Sequence, residues 1–201
     1  MTQETDMWPD FTPARKLDAK EKLLGCDASV GDFWAWAYSD LVLNIDRAVF
    51  AEFIVGCALG ITGGEQTRHV WDCVDHRYEG KKIEVKATGF AQRWRKGKKR
   101  SPPSFDIAKR VCVKWGEPAA APGAPTVRSA DCYVFCIHTD KEAATANALD
   151  LKNWKFLVIS KEKLNRIFGD QKSVTCSVLE QHCVNTRFDG LRNAVDACIG
   201  K

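Results

Sequence analysis

The sequence predicts a mixed α/β domain of the α+β kind, with one central mixed sheet flanked by helices. Three observations carry this expectation. Helical periodicity runs from Asp32 to Gly60, a strand hairpin follows between Val70 and Thr88, and strands alternate with helices through the last third of the chain.

The elements follow in order. Residues 1–20 are polar and turn-rich and read as a loosely attached N-terminal arm, leaving 21–201 as a single domain. Phe33, Trp34, Ala37, Leu41 and Ile45 recur at three- and four-residue steps, the spacing of one helix face. A second helix is expected from about Asp46 to Gly60, a residue suited to the left-handed stop position. Two strands follow, Val70 to Tyr78 and Lys82 to Thr88, around a turn at Glu79-Gly80. Short apolar stretches at Phe105–Ala108 and Val111–Trp115 precede GEPAAAPGAPTVR (116–128), too rich in Pro, Ala and Gly for regular structure and read as a mobile loop. ADCYVFCIHT (130–139) has the continuous apolar run of a strand buried on both faces. A strand at Trp154–Ile159, a helix at Ser160–Phe168, a strand at Ser173–Leu179 and a final helix at Asp189–Ile199 complete the chain.

Composition excludes several classes. At 201 residues, with 45% hydrophobic content and seven tryptophans, the chain can bury a core and is not a disordered protein. No apolar run reaches the ~20 residues of a membrane span, and MTQETDMWPDF is acidic and polar, unlike a signal peptide, so a cytoplasmic protein without a membrane partner is expected. Nine cysteines are an odd number, with no Cys-x-x-Cys pair and no histidines at zinc spacing; reduced, mostly buried thiols are expected. Net charge is only +4, but Arg93, Arg95, Lys96, Lys98, Lys99 and Arg100 fall within eight residues.

The hairpin carries the chemistry. Side chains alternate across a strand, so Glu84 and Lys86 share one face while Ile83, Val85 and Ala87 share the other. A two-residue turn sets position 75 opposite 84 and 74 opposite 85. Val74, Val85 and Ile83 would then pack on one face, with Asp75, Glu84 and Lys86 on the other. A three-residue turn would reverse the parity and bring Asp72 to the Glu84 face; the apolar pairing favours Asp75. Carboxylates that close repel unless a cation or shared proton lies between them. Glu52 is the only charged residue between Ala48 and Gly60, in a helix apolar all round, so it needs a metal or a cationic partner such as Arg47 or Arg68. An Asp-Glu-Lys set on a hairpin is also what an ordinary solvated ion pair looks like. QRWRKGKKRS then interleaves positive charge with Trp94, a pattern able to hold phosphates and stack on a base.

This order of a helix with a buried Glu, a hairpin Asp and a Glu-x-Lys strand resembles the PD-(D/E)xK nuclease superfamily, the restriction-endonuclease-like fold. RAVFAEFIVGCALG (47–60) and KIEVKATG (82–89) carry the likeness, which covers about residues 33 to 138. Cys73-Val74 precedes Asp75 where many members have proline, which leaves Asp72 as the alternative acid. The resemblance implies a restriction-endonuclease-like core and a hydrolase acting on phosphodiester bonds, most fittingly a DNA endonuclease. It implies that Asp75 and Glu84 ligate Mg2+ (or Mn2+), that Glu52 completes or tunes the ion's shell, and that Lys86 orients or activates the attacking water. Gln92, Arg93, Trp94, Arg95, Lys96, Lys98, Lys99 and Arg100 would contact the nucleic acid. A catalytically inactive nucleic-acid-binding protein of the same fold is the alternative, and a homodimer would supply the two active sites that double-strand cleavage calls for.

Overall fold

Ser29 starts the first helix. Its hydroxyl accepts from the Asp32 amide (3.2 Å) and the Asp32 carboxylate accepts from the Ser29 amide (2.7 Å), a reciprocal cap that opens α1 at Val30–Tyr38. The computed structural model describes residues 14–64, 67–68, 73–92, 102–112 and 122–201. α2 spans Asn44–Leu59 and ends at Gly60, whose φ of +75° lets its amide return to the Cys57 carbonyl (3.1 Å). The periodicity expected across both helices is corrected. α1 buries only Val30, and Ile45 in the first turn of α2 is 79% exposed. The physical reason is the break at residues 39–43, where the Leu43 amide turns back to the Asp40 carbonyl (3.0 Å), so the two halves of the stripe lie on different helices. α2 is likewise not buried all round: Ala51, Glu52, Ile54, Val55 and Leu59 face inward, while Phe53 and Cys57 are exposed.

Five strands form the main sheet: β1 (His76–Tyr78), β2 (Lys81–Gly89), β4 (Cys132–His138), β5 (Trp154–Ser160) and β7 (Val184–Thr186), side by side in that order. β2 and β4 run parallel and the other neighbours antiparallel, so the sheet is mixed, and helices flank it. The central strand β4 is buried along its whole length, as its apolar run requires. On one face Ile83, Val85, Val134, Cys136, Trp154 and Phe156 pack against α2 and against α5 (Leu191–Ile199). On the other, Tyr133, Phe135, Leu157 and Ile159 pack against α3 (Lys161–Phe168) and α4 (Cys176–Glu180). That second face also receives a separate two-stranded ribbon, β3 (Ser104–Asp106) with β6 (Ser173–Thr175). No helix among the described residues is long and apolar enough to cross a membrane.

The C-terminal expectations need adjustment. Ser173–Leu179 is not one strand, since the chain turns into α4 at Cys176 after only three strand residues. β7 was not anticipated. The first hairpin strand is short, His76–Tyr78, and 69–72 lie outside the described residues, as do 113–121 and the first 13 residues of the arm. Of the loop expected to be mobile, the described end is anchored. Val127 pairs with Arg110, and Arg128 is buried, donating to the carbonyls of Ile107 (2.8 Å) and Gly169 (3.0 Å). The thiols are not all reduced either: Cys73 and Cys112 form a disulfide, with Cα atoms 5.3 Å apart. The sequence separation of 39 hid this pair, because only the fold brings the start of the hairpin beside the end of the β3 connection.

The hairpin register is the one a two-residue turn demands. Glu79 (φ +51°) and Gly80 (φ +72°) both take the left-handed region, the signature of a type I′ turn. Tyr78 pairs with Lys81, Arg77 with Lys82 and His76 with Ile83; the ladder stops there, and the Asp75 amide donates back to the Ile83 carbonyl (3.2 Å). Val74 departs from expectation, packing with Phe105 and Phe135 on the face away from Ile83 and Val85. The regular strand ends at His76, so alternation no longer decides which way residue 74 points.

A side chain at Gly80 would strain this turn. Gly80→Ala should lower stability by about 1 kcal/mol, while Glu79→Asn should cost little, Asn being the better left-handed residue. Thermal unfolding of the two variants measures the difference.

Candidate active site

α2 presents Glu52 to the hairpin. The residue is 8% exposed, a position in which a lone carboxylate would be costly. Arg68 resolves this with a two-pronged pair, Nε to Oε2 and Nη2 to Oε1, the latter at 2.7 Å. Of the two arginines considered, the partner is therefore Arg68, not Arg47. The backbone of the same turn of α2 is tied to the hairpin, because His76 Nε2 donates to the Glu52 carbonyl (2.9 Å). A carbonyl only accepts, so the proton is on Nε2.

β2 supplies Glu84 and Lys86, both half-buried, with Lys86 Nζ donating to Glu84 Oε1 at 2.6 Å. Asp75 completes the set differently. Its Oδ2 accepts from the Val85 amide (2.7 Å), and its own amide donates to the Ile83 carbonyl (3.2 Å). As a residue Asp75 is half-buried, with its carboxylate on the inner side. Burial, and then the neighbouring Glu84 and Glu52 carboxylates, push its pKa up to about 7, against the pull of the Val85 amide and Lys86. The structure thus brings together Glu52, Asp75, Glu84 and Lys86, and adds Arg68.

Among the described residues three carboxylates here face two cations, and the excess negative charge falls on Asp75, which has no ion pair of its own among them. Among the described residues no three His, Cys, Asp or Glu side chains stand as a ready-made ion-binding group. Magnesium does not require one, since it keeps several waters and is held by one or two carboxylates together with substrate phosphate oxygens. The donor set fits such an ion: Asp75 and Glu84 offer hard oxygens where a positive charge would relieve their repulsion. Glu52 stands behind them, held by Arg68.

The remaining expected residues divide in two. Gln92 is half-buried, and both ends of its amide are engaged: Nε2 donates to the Gly89 carbonyl (2.8 Å) and Oε1 accepts from Arg47 Nη2 (3.4 Å). Asp72, Arg93, Trp94, Arg95, Lys96, Lys98, Lys99 and Arg100 lie outside the described residues. Two neighbours were not anticipated. Tyr133 pairs with Glu84 across the parallel strands, and burial followed by the Glu84 charge raises its phenol pKa. Asp106 on β3 lies within electrostatic range of Lys86 and is itself ion-paired with Arg110. Both reach the site through pairings distant in sequence, for which local periodicity holds no signal. Compared with protein-family models, curated proteins and solved structures, the chain matches none.

The raised Asp75 pKa makes stability depend on pH in a definite direction. Its carboxyl titrates near ~4 in an unfolded chain and at about 7 in the fold. The folded state therefore binds the extra proton, and this contribution is complete below ~4 and lost as pH rises through about 7. Asp75→Asn keeps an acceptor for the Val85 amide without the charge. In EDTA, urea unfolding should show the variant roughly 1–2 kcal/mol more stable than the parent at pH 8 and without that advantage at pH 4.

Proposed function

We propose that the protein is a divalent-metal-dependent nuclease that hydrolyses phosphodiester bonds, with DNA as its substrate, and that it is a PD-(D/E)xK enzyme of restriction-endonuclease-like core. The observation that supports this most is the desolvated Asp75 carboxylate set among Glu84 and Glu52 with Lys86 in contact. An ordinary surface ion pair leaves no buried acid unneutralised, whereas a site for a metal beside a phosphate needs one. The basic, Trp-bearing stretch Arg93–Arg100 that follows β2 in sequence supplies the charge to bind a polyanion.

Asp75 and Glu84 would hold Mg2+ or Mn2+, with Glu52 tuning the pair from behind. The ion, when bound, lowers the pKa of a coordinated water and offsets charge building on phosphorus. Lys86, its Nζ directed by contact with Glu84 Oε1 (2.6 Å), would orient the attacking water or move its proton. Tyr133, opposite Glu84 and buried, shields that side of the acid from water. The cytoplasm is the compartment in which such an enzyme would meet DNA, and cutting both strands would favour a homodimer. A second reading, a nucleic-acid-binding protein that no longer cuts, is favoured by the two ion pairs, because Arg68 and Lys86 already satisfy Glu52 and Glu84.

Genomic, supercoiled and linear DNA incubated with the protein and Mg2+ or Mn2+ separates the two. The nuclease reading expects cleavage that EDTA abolishes and that Glu84→Ala and Lys86→Ala each reduce at least about 100-fold, with DNA binding retained. Binding that falls with salt and no cleavage by the parent supports the second reading. Cleavage indifferent to both substitutions overturns the assignment of the site.

A further inference from the structure

We infer that Arg68 is a built-in cation standing where a second metal ion would otherwise sit, so that the acid site takes a single divalent ion, between Asp75 and Glu84. This rests on the metal-dependent reading above and adds to it the number of ions and the residue that sets that number. Three carboxylates have oxygens enough for two ions, the arrangement that clamps the attacking and leaving oxygens of a phosphodiester. Here one of the three is already taken. Arg68 meets both oxygens of Glu52, Nε on Oε2 and Nη2 on Oε1 (2.7 Å), the planar fork-to-carboxylate match that suits a guanidinium. Lys86 differs, because among the described residues its ammonium reaches only Oε1 of Glu84 (2.6 Å).

Burial shows which partner stands outermost. The Glu52 side chain is 11% exposed and that of Arg68 41%, so the guanidinium covers the solvent side of the acid. The Glu52 backbone is pinned as well, its carbonyl accepting from His76 Nε2 (2.9 Å). Side-chain rotation is then the only route from Glu52 to the other acids, and that rotation breaks both contacts with Arg68. Among the described residues Glu52, Asp75 and Glu84 accordingly do not stand as one three-ligand group. Asp75 has no ion pair among those residues, and Glu84 is the carboxylate that acts on it most strongly, which places the one ion between these two. Arg68 is within electrostatic range of Asp75 as well as of Glu52. A guanidinium does not lose its proton in a folded protein. It therefore opposes a second cation at Glu52 and holds a positive charge on the exposed side of the acids, where a phosphate would approach.

The test counts bound Mn2+ by electron paramagnetic resonance as the full chain is titrated with the metal alone at pH 8. The parent should bind one ion, and Glu84→Gln should lose it. Arg68→Gln frees both Glu52 oxygens and should bind two, the first about fivefold tighter because a nearby positive charge is gone. Arg68→Lys, which keeps that charge, should stay at one. Arg68→Gln combined with Glu52→Gln replaces the ion pair by neutral amides, so it can be titrated even where the single variant is too unstable. That double variant should bind one ion within about threefold of the parent's affinity. A second ion on the parent, or a count of one at unchanged affinity in Arg68→Gln, overturns the inference and leaves the nuclease reading standing. So does a loss of more than about threefold in the double variant, which would make Glu52 a ligand of the parent's ion. A parent holding no ion that depends on Glu84 overturns both.

Discussion

The Val85 amide needs an acceptor, and the geometry of the site follows from how it finds one. β1 stops pairing at His76, so among the described residues no regular strand lies beside the outer edge of β2 beyond Ile83. A backbone amide left unpaired in the interior is costly. Asp75 supplies the missing acceptor from its side chain, continuing the hairpin with a carboxylate where a carbonyl would otherwise be. The same contact draws the acid inward, toward Glu84 on the strand and Glu52 on α2. One hydrogen bond favours its charge while burial and two like charges oppose it, and the opposition wins. An acid held this way is poised to take up a proton or a cation. The two ion pairs around it, Arg68 with Glu52 and Lys86 with Glu84, confine that unsatisfied charge to a single residue.

Most of this hairpin was legible in the sequence because its determinants are local. Glu79-Gly80 specifies the turn, and the turn specifies the register as far as His76 with Ile83; Asp75 lies beyond that ladder and is placed by its bond to the Val85 amide. Glu52 stood out as the one charge in an apolar helix, and β4 as an apolar run too continuous to be exposed. What stayed hidden depends on pairings that no local pattern encodes. The parallel β2–β4 ladder sets Tyr133 beside Glu84 across 49 residues, and the β3–β6 ribbon brings Asp106 toward Lys86. Cys73 and Cys112 meet for the same reason. α1 misled in the opposite sense. Its apolar spacing is that of a buried face, yet the break at Ser39-Asp40 separates it from α2 and leaves its rings in solvent. Periodicity reports that a face is apolar; it does not report what covers it.

Arg47 explains how these parts stay in register with one another. Its side chain is fully buried, burial lowers its pKa to about 10, and it is therefore still a cation at neutral pH. Five residues along a helix from Glu52, it points roughly 140° away from that acid, which is why it cannot be the partner. Carbonyls balance its charge instead: Val42 before α2, Ala91 after β2, and the side-chain oxygens of Asn44 and Gln92. A hydrophobic residue there could fill the volume but could not bind four oxygens from two chain segments at once. The guanidinium thus fixes the end of the α1–α2 connector against the exit of the Glu-x-Lys strand. Through that joint the connector and the exit of β2 keep one relative placement, although Val42 and Ala91 are separated by the whole of α2 and the hairpin. The buried cation far from any acid is then not an oddity of the core. It is the constraint that holds the exit of the Glu-x-Lys strand against the start of α2, the helix that carries Glu52.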